Sequence, residues 1–170
     1  MKFIKPSIVL VKPQLPENIG LVARAMENCS LKDLIIVNPR EKWPNEIAIQ
    51  ASANSRTIIE KSKLFKTTEE ALFDFNFVIA TSARKRFLQK PFQNDLNQLF
   101  NQFPINKKTA ILFGPENSGI CVLHRRKACW MPGYLGDGPV PKEISKLSSS
   151  TVLSRFFDPS RAIRAFPFPL

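Results

Sequence analysis

The chain has a single histidine and a single tyrosine among 170 residues. One histidine leaves Ser–His acyl transfer and multi-histidine zinc hydrolysis without their parts, and neither GxSxG nor HExxH occurs. Three cysteines with no CxxC pair make no disulfide framework. Cys121, His124 and Cys129 fall short of the four ligands that a structural zinc needs, so no metal is expected. This cysteine usage suits a reducing, cytoplasmic setting. No apolar run reaches the length of a membrane span. The opening MKFIKPSIVLVKP imitates a signal peptide only in part. No small-residue cleavage site follows, so it reads as a first strand. The absence of GxGxxG and of GxxxxGK[ST] removes the dinucleotide fingerprint and the phosphate loop. Acids are scarce as well: 14 against 25 lysines and arginines, a net charge of +11. That imbalance points to an anionic partner, most often nucleic acid, with a solvated basic face as the plainer alternative.

What is present is enough for one domain with a real core: 44% hydrophobic and 23% charged residues. The stretch SIVLVKPQLPENIGLVARAMENC, residues 7–29, organises the reading. Ser7–Val11 is a short apolar run, as in a strand covered on both faces. Pro13 and Pro16 bracket a loop. From Ile19 the apolar residues recur with helical spacing, and Asn18 stands where an N-cap belongs. Gly20 and Arg24, four apart, share the other helix face. A residue without a side chain thus lies one turn from a guanidinium, just past the end of a buried strand. In open α/β sheets that is where ligands bind.

Leu34–Val37 reads as a second buried strand ending at the turn signal Asn38-Pro39, and one intervening helix makes a parallel βαβ unit. Around Trp43–Ile59 a helix is expected with Ile47 and Ala51 inward, followed by a looser Ser/Asn stretch. Leu64–Phe65 reads as a short strand, and Thr68 opens a capped helix with acids in its first turn. Phe77–Ala80 is a further buried strand running into Thr81-Ser82-Ala83-Arg84-Lys85-Arg86. Small hydroxyl residues there leave main-chain amides accessible, and the three cations suit a phosphate backbone. Asp95–Phe103 reads as a helix. Thr109–Phe113 is another buried strand and meets Gly114-Pro115-Glu116-Asn117-Ser118-Gly119, a loop able to set main-chain N–H groups and one carboxylate against a ligand.

These loops, PENIGLVAR, TSARKR and FGPENSG, together resemble the SpoU/TrmH branch of the SPOUT methyltransferases, and within it the TrmJ-like tRNA enzymes. Pro16, Asn18, Gly20 and Arg24 match that family's first motif. Phe113, Gly114, Glu116 and Gly119 match its second. The likeness covers about residues 5–120. It implies an α/β, parallel-sheet, Rossmann-like fold with a C-terminal trefoil knot, S-adenosylmethionine as cofactor, a homodimer, and tRNA (or rRNA) as partner. The reaction it implies is 2′-O-methylation of ribose, for TrmJ-like enzymes at cytidine or uridine of the tRNA anticodon loop. On the same basis Asn18, Arg24 and Glu116 are the catalytic candidates. Thr81, Ser82, Ala83 and Gly114 are the cofactor-binding candidates, and Arg84, Lys85 and Arg86 the RNA-binding ones. Ordinary roles stand beside these: Asn18 as a cap, Gly20 easing helix–strand packing, Arg24 as a solvated helix residue, Glu116 as a turn residue.

The family's third motif, a strand ending in Ile-Pro and a Ser-Leu-Asn opening the last helix, is not found after Cys121. Its nearest echo is Pro141 followed by residues 146–153. Three of the six glycines and six of the fourteen prolines fall in the last fifty residues. The chain therefore divides into residues 1–120, the methyltransferase-like domain, and 121–170, a divergent or frame-shifted ending of it. The alternative function is a non-catalytic RNA-binding or inactive truncated member of the same fold.

Overall fold

The computed structural model describes residues 5–82, 107–115 and 128–132 of the chain. They form strands β1 (Ser7–Val11), β2 (Leu34–Val37), β3 (Lys63–Phe65), β4 (Phe77–Ser82), β5 (Thr109–Phe113) and β6 (Ala128–Pro132). Helices α1 (Pro16–Asn28), α2 (Glu46–Ala51), α3 (Arg56–Glu60) and α4 (Thr68–Leu72) lie between them, with a short 3-10 turn at Ala53–Ser55. All strand pairings are parallel, in the order β3-β2-β1-β5-β4-β6. The α/β parallel-sheet expectation holds. The expected knot and the helix expected at 95–103 lie outside the described residues.

β1, β2 and β5 are buried along their whole length, which is why they read as unbroken apolar runs rather than alternating ones. Successive side chains leave opposite faces of a strand, so each strand feeds two cores. Ile8, Leu10, Leu34, Ile36, Ile79 and Ile111 pack under α1, α2 and α3. Val9, Ile35, Val37, Val78, Ala110 and Leu112 pack on the other face with Ala71 of α4 and Phe75 just beyond it. No helix among the described residues is long and apolar enough to cross a membrane.

Several local expectations are corrected. α1 starts two residues before Asn18. Leu15 is the N-cap without a side-chain hydrogen bond and Pro16 takes the first helical turn, where its missing N–H costs nothing. Asn18 is therefore the third residue of the helix, not its cap. Ile47 is exposed and Ala48 is fully buried, so the inward face of α2 is set by the smaller residue. The cap of α4 is Thr67 rather than Thr68, in a reciprocal box with Glu70: the Glu70 N–H donates to Thr67 Oγ1 at 3.3 Å, and the Thr67 N–H donates to Glu70 Oε2 at 3.4 Å. Thr67→Ala should lower folding stability by about 1 kcal/mol, read by urea denaturation; an unchanged midpoint would mean that the box contributes nothing. β6 was not expected at all. It pairs with β4 from Val78↔Ala128 to Ser82↔Pro132, so the sheet continues past residue 120.

Cys29 closes α1 as a half-buried thiol packed against the core. Burial pushes it up to about 11, so at neutral pH it is a neutral thiol and no nucleophile.

Candidate functional site

The sheet topology selects one end of the molecule. From β1 the chain moves outward to β2 and β3, while from β5 it passes over β4 to reach β6. The connections leaving β1 and β5 thus diverge, although the two strands are paired through Leu10↔Phe113. A crevice opens between their carboxyl ends, as it does wherever strand order reverses in an open α/β sheet.

Leu10, Val11, Pro13, Asn18, Ile19, Val22 and Gly114 line this crevice, a shallow depression of about 10 Å³, room for about one water. Two of the candidates, Asn18 from α1 and Gly114 after β5, therefore meet across a gap of nearly a hundred residues in sequence. Register carries a third to the same rim: Ala80 pairs with Leu112, so Thr81 stands next to Phe113 at the edge of the crevice wall. The Thr81 hydroxyl is buried and donates to the Leu112 carbonyl at 3.2 Å, tying β4 to β5 just below Gly114. Ser82 closes β4 opposite Pro132.

Arg24 is placed differently. It is exposed on the solvent stripe of α1 with Glu17, Leu21 and Asn28, and forms no ion pair among the described residues. Six residues separate it from Asn18, about 9 Å along the helix axis. Gly20 does not open a ligand-facing gap beside it. A Cβ there would lie 2.5 Å from the Ala48 carbonyl oxygen and 2.6 Å from Ala51 Cβ, so the glycine lets α2 approach α1. Ala83, Arg84, Lys85, Arg86 and Glu116 lie outside the described residues.

A larger groove, about 1140 Å³ with its open mouth, lies at the opposite, amino-terminal rim. Its cations Lys5, Lys63 and Lys108 face the acids Asp33, Glu70 and Asp74, and two of them are paired: Lys63 with Asp33 at 3.2 Å and Lys108 with Asp74 at 3.9 Å. Its charges cancel, and it lies away from the rim where Asn18 and Gly114 meet.

The SpoU rRNA Methylase family profile matches residues 5–129. The chain belongs to that family. Its relatives include the tRNA (cytidine/uridine/adenosine-2′-O-)-methyltransferase TrmJ of Pseudomonas aeruginosa, 33% identical over 116 residues. That alignment takes in 66% of this chain and 45% of the relative. The tRNA (cytidine-2′-O-)-methyltransferase TrmJ of Methanocaldococcus jannaschii is 31% identical over 117 residues, 67% of this chain and 50% of its own length. This SpoU-family chain thus spans about half the length of these relatives. Among solved structures, TrmJ from Z. mobilis superposes with a TM-score of 0.77 at 32% identity, covering 98% of this chain and 72% of that one. The SpoU methyltransferase AviRb from Streptomyces viridochromogenes, solved with AdoMet, has the same fold, with a TM-score of 0.63 at 12% identity over 95% of this chain and 63% of its own.

The family match continues to residue 129, into β6, nine residues beyond the boundary expected from the sequence. Sequence reading gives Pro13 a loop role only, whereas it lines the crevice with Lys12 directly before it in the chain. Their signal was position: they are the first residues after a fully buried strand.

Proposed function

We propose that this chain transfers a methyl group from S-adenosylmethionine to a ribose 2′-hydroxyl of RNA, and that its substrate is tRNA, at a cytidine or uridine of the anticodon loop. The observation that carries the reading is the convergence of Asn18, Thr81 and Gly114 on one rim at the strand-order reversal. The crevice itself admits about one water, so a cofactor would lie across its mouth, against main-chain groups and the edge of the apolar core. Leu10, Val11, Ile19 and Val22 are apolar, Gly114 brings no side chain, and Asn18 adds one amide. S-adenosylmethionine, when bound, supplies an electrophilic methyl on its sulfonium.

The protein's own part is to position and to stabilise charge. A ribose hydroxyl is a poor nucleophile whose proton leaves to solvent water as the methyl's bond to sulfur breaks and its bond to the ribose oxygen forms. Arg24 does not serve as a base, since a guanidinium keeps its proton in proteins. It clamps an RNA phosphate through two parallel N–H donors and stabilises the forming alkoxide. Its solvent-facing position and lack of an ion pair among the described residues suit a substrate that docks from outside. Asn18 orients the ribose at the crevice. Glu116 holds Arg24 or the ribose, and the main chain at Thr81, Ser82, Ala83 and Gly114 meets the cofactor. Arg84, Lys85 and Arg86 take the RNA backbone. The active form is a homodimer: exposed Leu21, on the Arg24 stripe of α1, and exposed Leu15 at the start of that helix give a second copy apolar surface to cover. A tRNA substrate places the reaction in the cytoplasm.

Calorimetric titration with S-adenosylmethionine tests the reading. Saturable heat with Kd near or below about 1 mM is expected. No heat, with tRNA binding intact, would instead support a non-catalytic RNA-binding member of the family.

A further inference from the structure

At the amino-terminal rim Lys63 pairs with Asp33, Lys108 pairs with Asp74, and Lys5 Nζ donates to the Ser30 carbonyl at 2.9 Å, while exposed Lys32 and Lys107 have no ion pair among the described residues. At the carboxyl rim the exposed side chains of Lys12 and Arg40 have no ion pair among the described residues, although Glu17 and Glu41 are close in sequence. Their main chains, by contrast, are fixed. The Lys12 N–H donates to the Val37 carbonyl at 2.8 Å, and the Lys12 carbonyl accepts from Gln14 Nε2 at 2.9 Å. The Arg40 N–H donates to the carbonyl of Pro13, a wall of the crevice, at 3.1 Å. Lys12 adopts φ 50, the left-handed region, which a lysine enters only when its surroundings hold it there.

We infer that Lys12 and Arg40 are RNA-backbone contacts that position the substrate over the crevice. Rigid main chain with unengaged cationic side chains at the mouth of a site is what phosphate positioning requires, whereas a merely solvated charge needs no such tether. Both are positioning residues: they touch phosphate and leave the reacting atoms to others. The inference rests on the methyltransferase reading and extends its RNA surface beyond residues 84–86.

The test is tRNA binding as a function of salt, with the parent chain, Lys12→Asn and Arg40→Ala. Asparagine tolerates positive φ, so the first variant keeps the loop. Each substitution should reduce the slope of log K against log[salt] by about one. Each should also raise KM for tRNA while kcat at saturating tRNA and S-adenosylmethionine binding stay unchanged. Lys12→Arg and Arg40→Lys should keep the parent slope. Lys32→Ala, an exposed lysine just before β2 at the other rim, should also keep it. An unchanged slope in Lys12→Asn and Arg40→Ala, or an equal loss in Lys32→Ala, would overturn this inference alone. A parent chain that does not bind tRNA would overturn it together with the methyltransferase reading.

Discussion

Replacing Arg24 by alanine should lower methyl transfer by about a hundred- to a thousandfold, the usual loss when one preorganised donor to a developing oxyanion is removed. The fold should not register the change. Arg24 stands on the solvent stripe of α1 and shares no ion pair among the described residues, so stability should move by less than about 0.5 kcal/mol. Arg24→Lys should recover only a small part of the activity, because an ammonium is a point charge and cannot grip a phosphate through a planar fork. The measurement is single-turnover methylation of tRNA beside a thermal melt. Parent-like turnover in Arg24→Ala would remove this residue from the mechanism and leave Asn18 and the main chain at the crevice to account for it.

Gly20→Ala should do the reverse, damaging the fold. The added Cβ would come within 2.5 Å of the Ala48 carbonyl oxygen, 2.6 Å of Ala51 Cβ and 2.9 Å of the Ala51 carbonyl carbon. None of these is the end of a flexible side chain, so α2 itself must shift. Overpacking of this kind costs about 1–3 kcal/mol, against which alanine recovers up to about 1 kcal/mol of helix propensity over glycine. A net loss of about 1–2 kcal/mol follows, a fall in Tm of about 2–8 °C for a domain of this size. Since Ile19 and Val22 line the crevice from α1, any part of the strain that α1 takes up should also weaken cofactor binding. A variant as stable as the parent would mean that α1 and α2 are not so closely packed.

The two predictions separate two meanings of one motif. Gly20 and Arg24 are four residues apart and were read together as one ligand-facing feature. Residue spacing gives the shared side of a helix but not what covers each turn of it. Here the turn at Gly20 meets α2 and the turn at Arg24 meets solvent. The same gap explains Ile47: with α1 and α2 in close contact, the interface takes small residues, and Ala48 faces inward while the larger isoleucine is left outside.

Buried strands were the most legible elements, because β1, β2 and β5 are covered on both faces and must be apolar throughout. Their bounds were read as they are. The start of α1 is not legible, because Pro16 suits a loop and the first turn of a helix equally well. β6 was illegible for a compositional reason. Ala-Cys-Trp-Met-Pro has no β-branched residue and sits among basic residues, glycines and prolines. Only its register against Val78–Ser82 identifies it. Of the proposed site, the motifs point to three loops, and that the strands leading into them end at one rim follows only from parallel pairing of β1, β5 and β4.

The most direct test of the central claim is nucleoside mass spectrometry of tRNA after incubation with the purified chain and S-adenosylmethionine. The account predicts a new 2′-O-methylated cytidine or uridine, absent without cofactor and strongly reduced with Arg24→Ala. Unmodified tRNA, from a folded chain that binds both tRNA and S-adenosylmethionine, would contradict it.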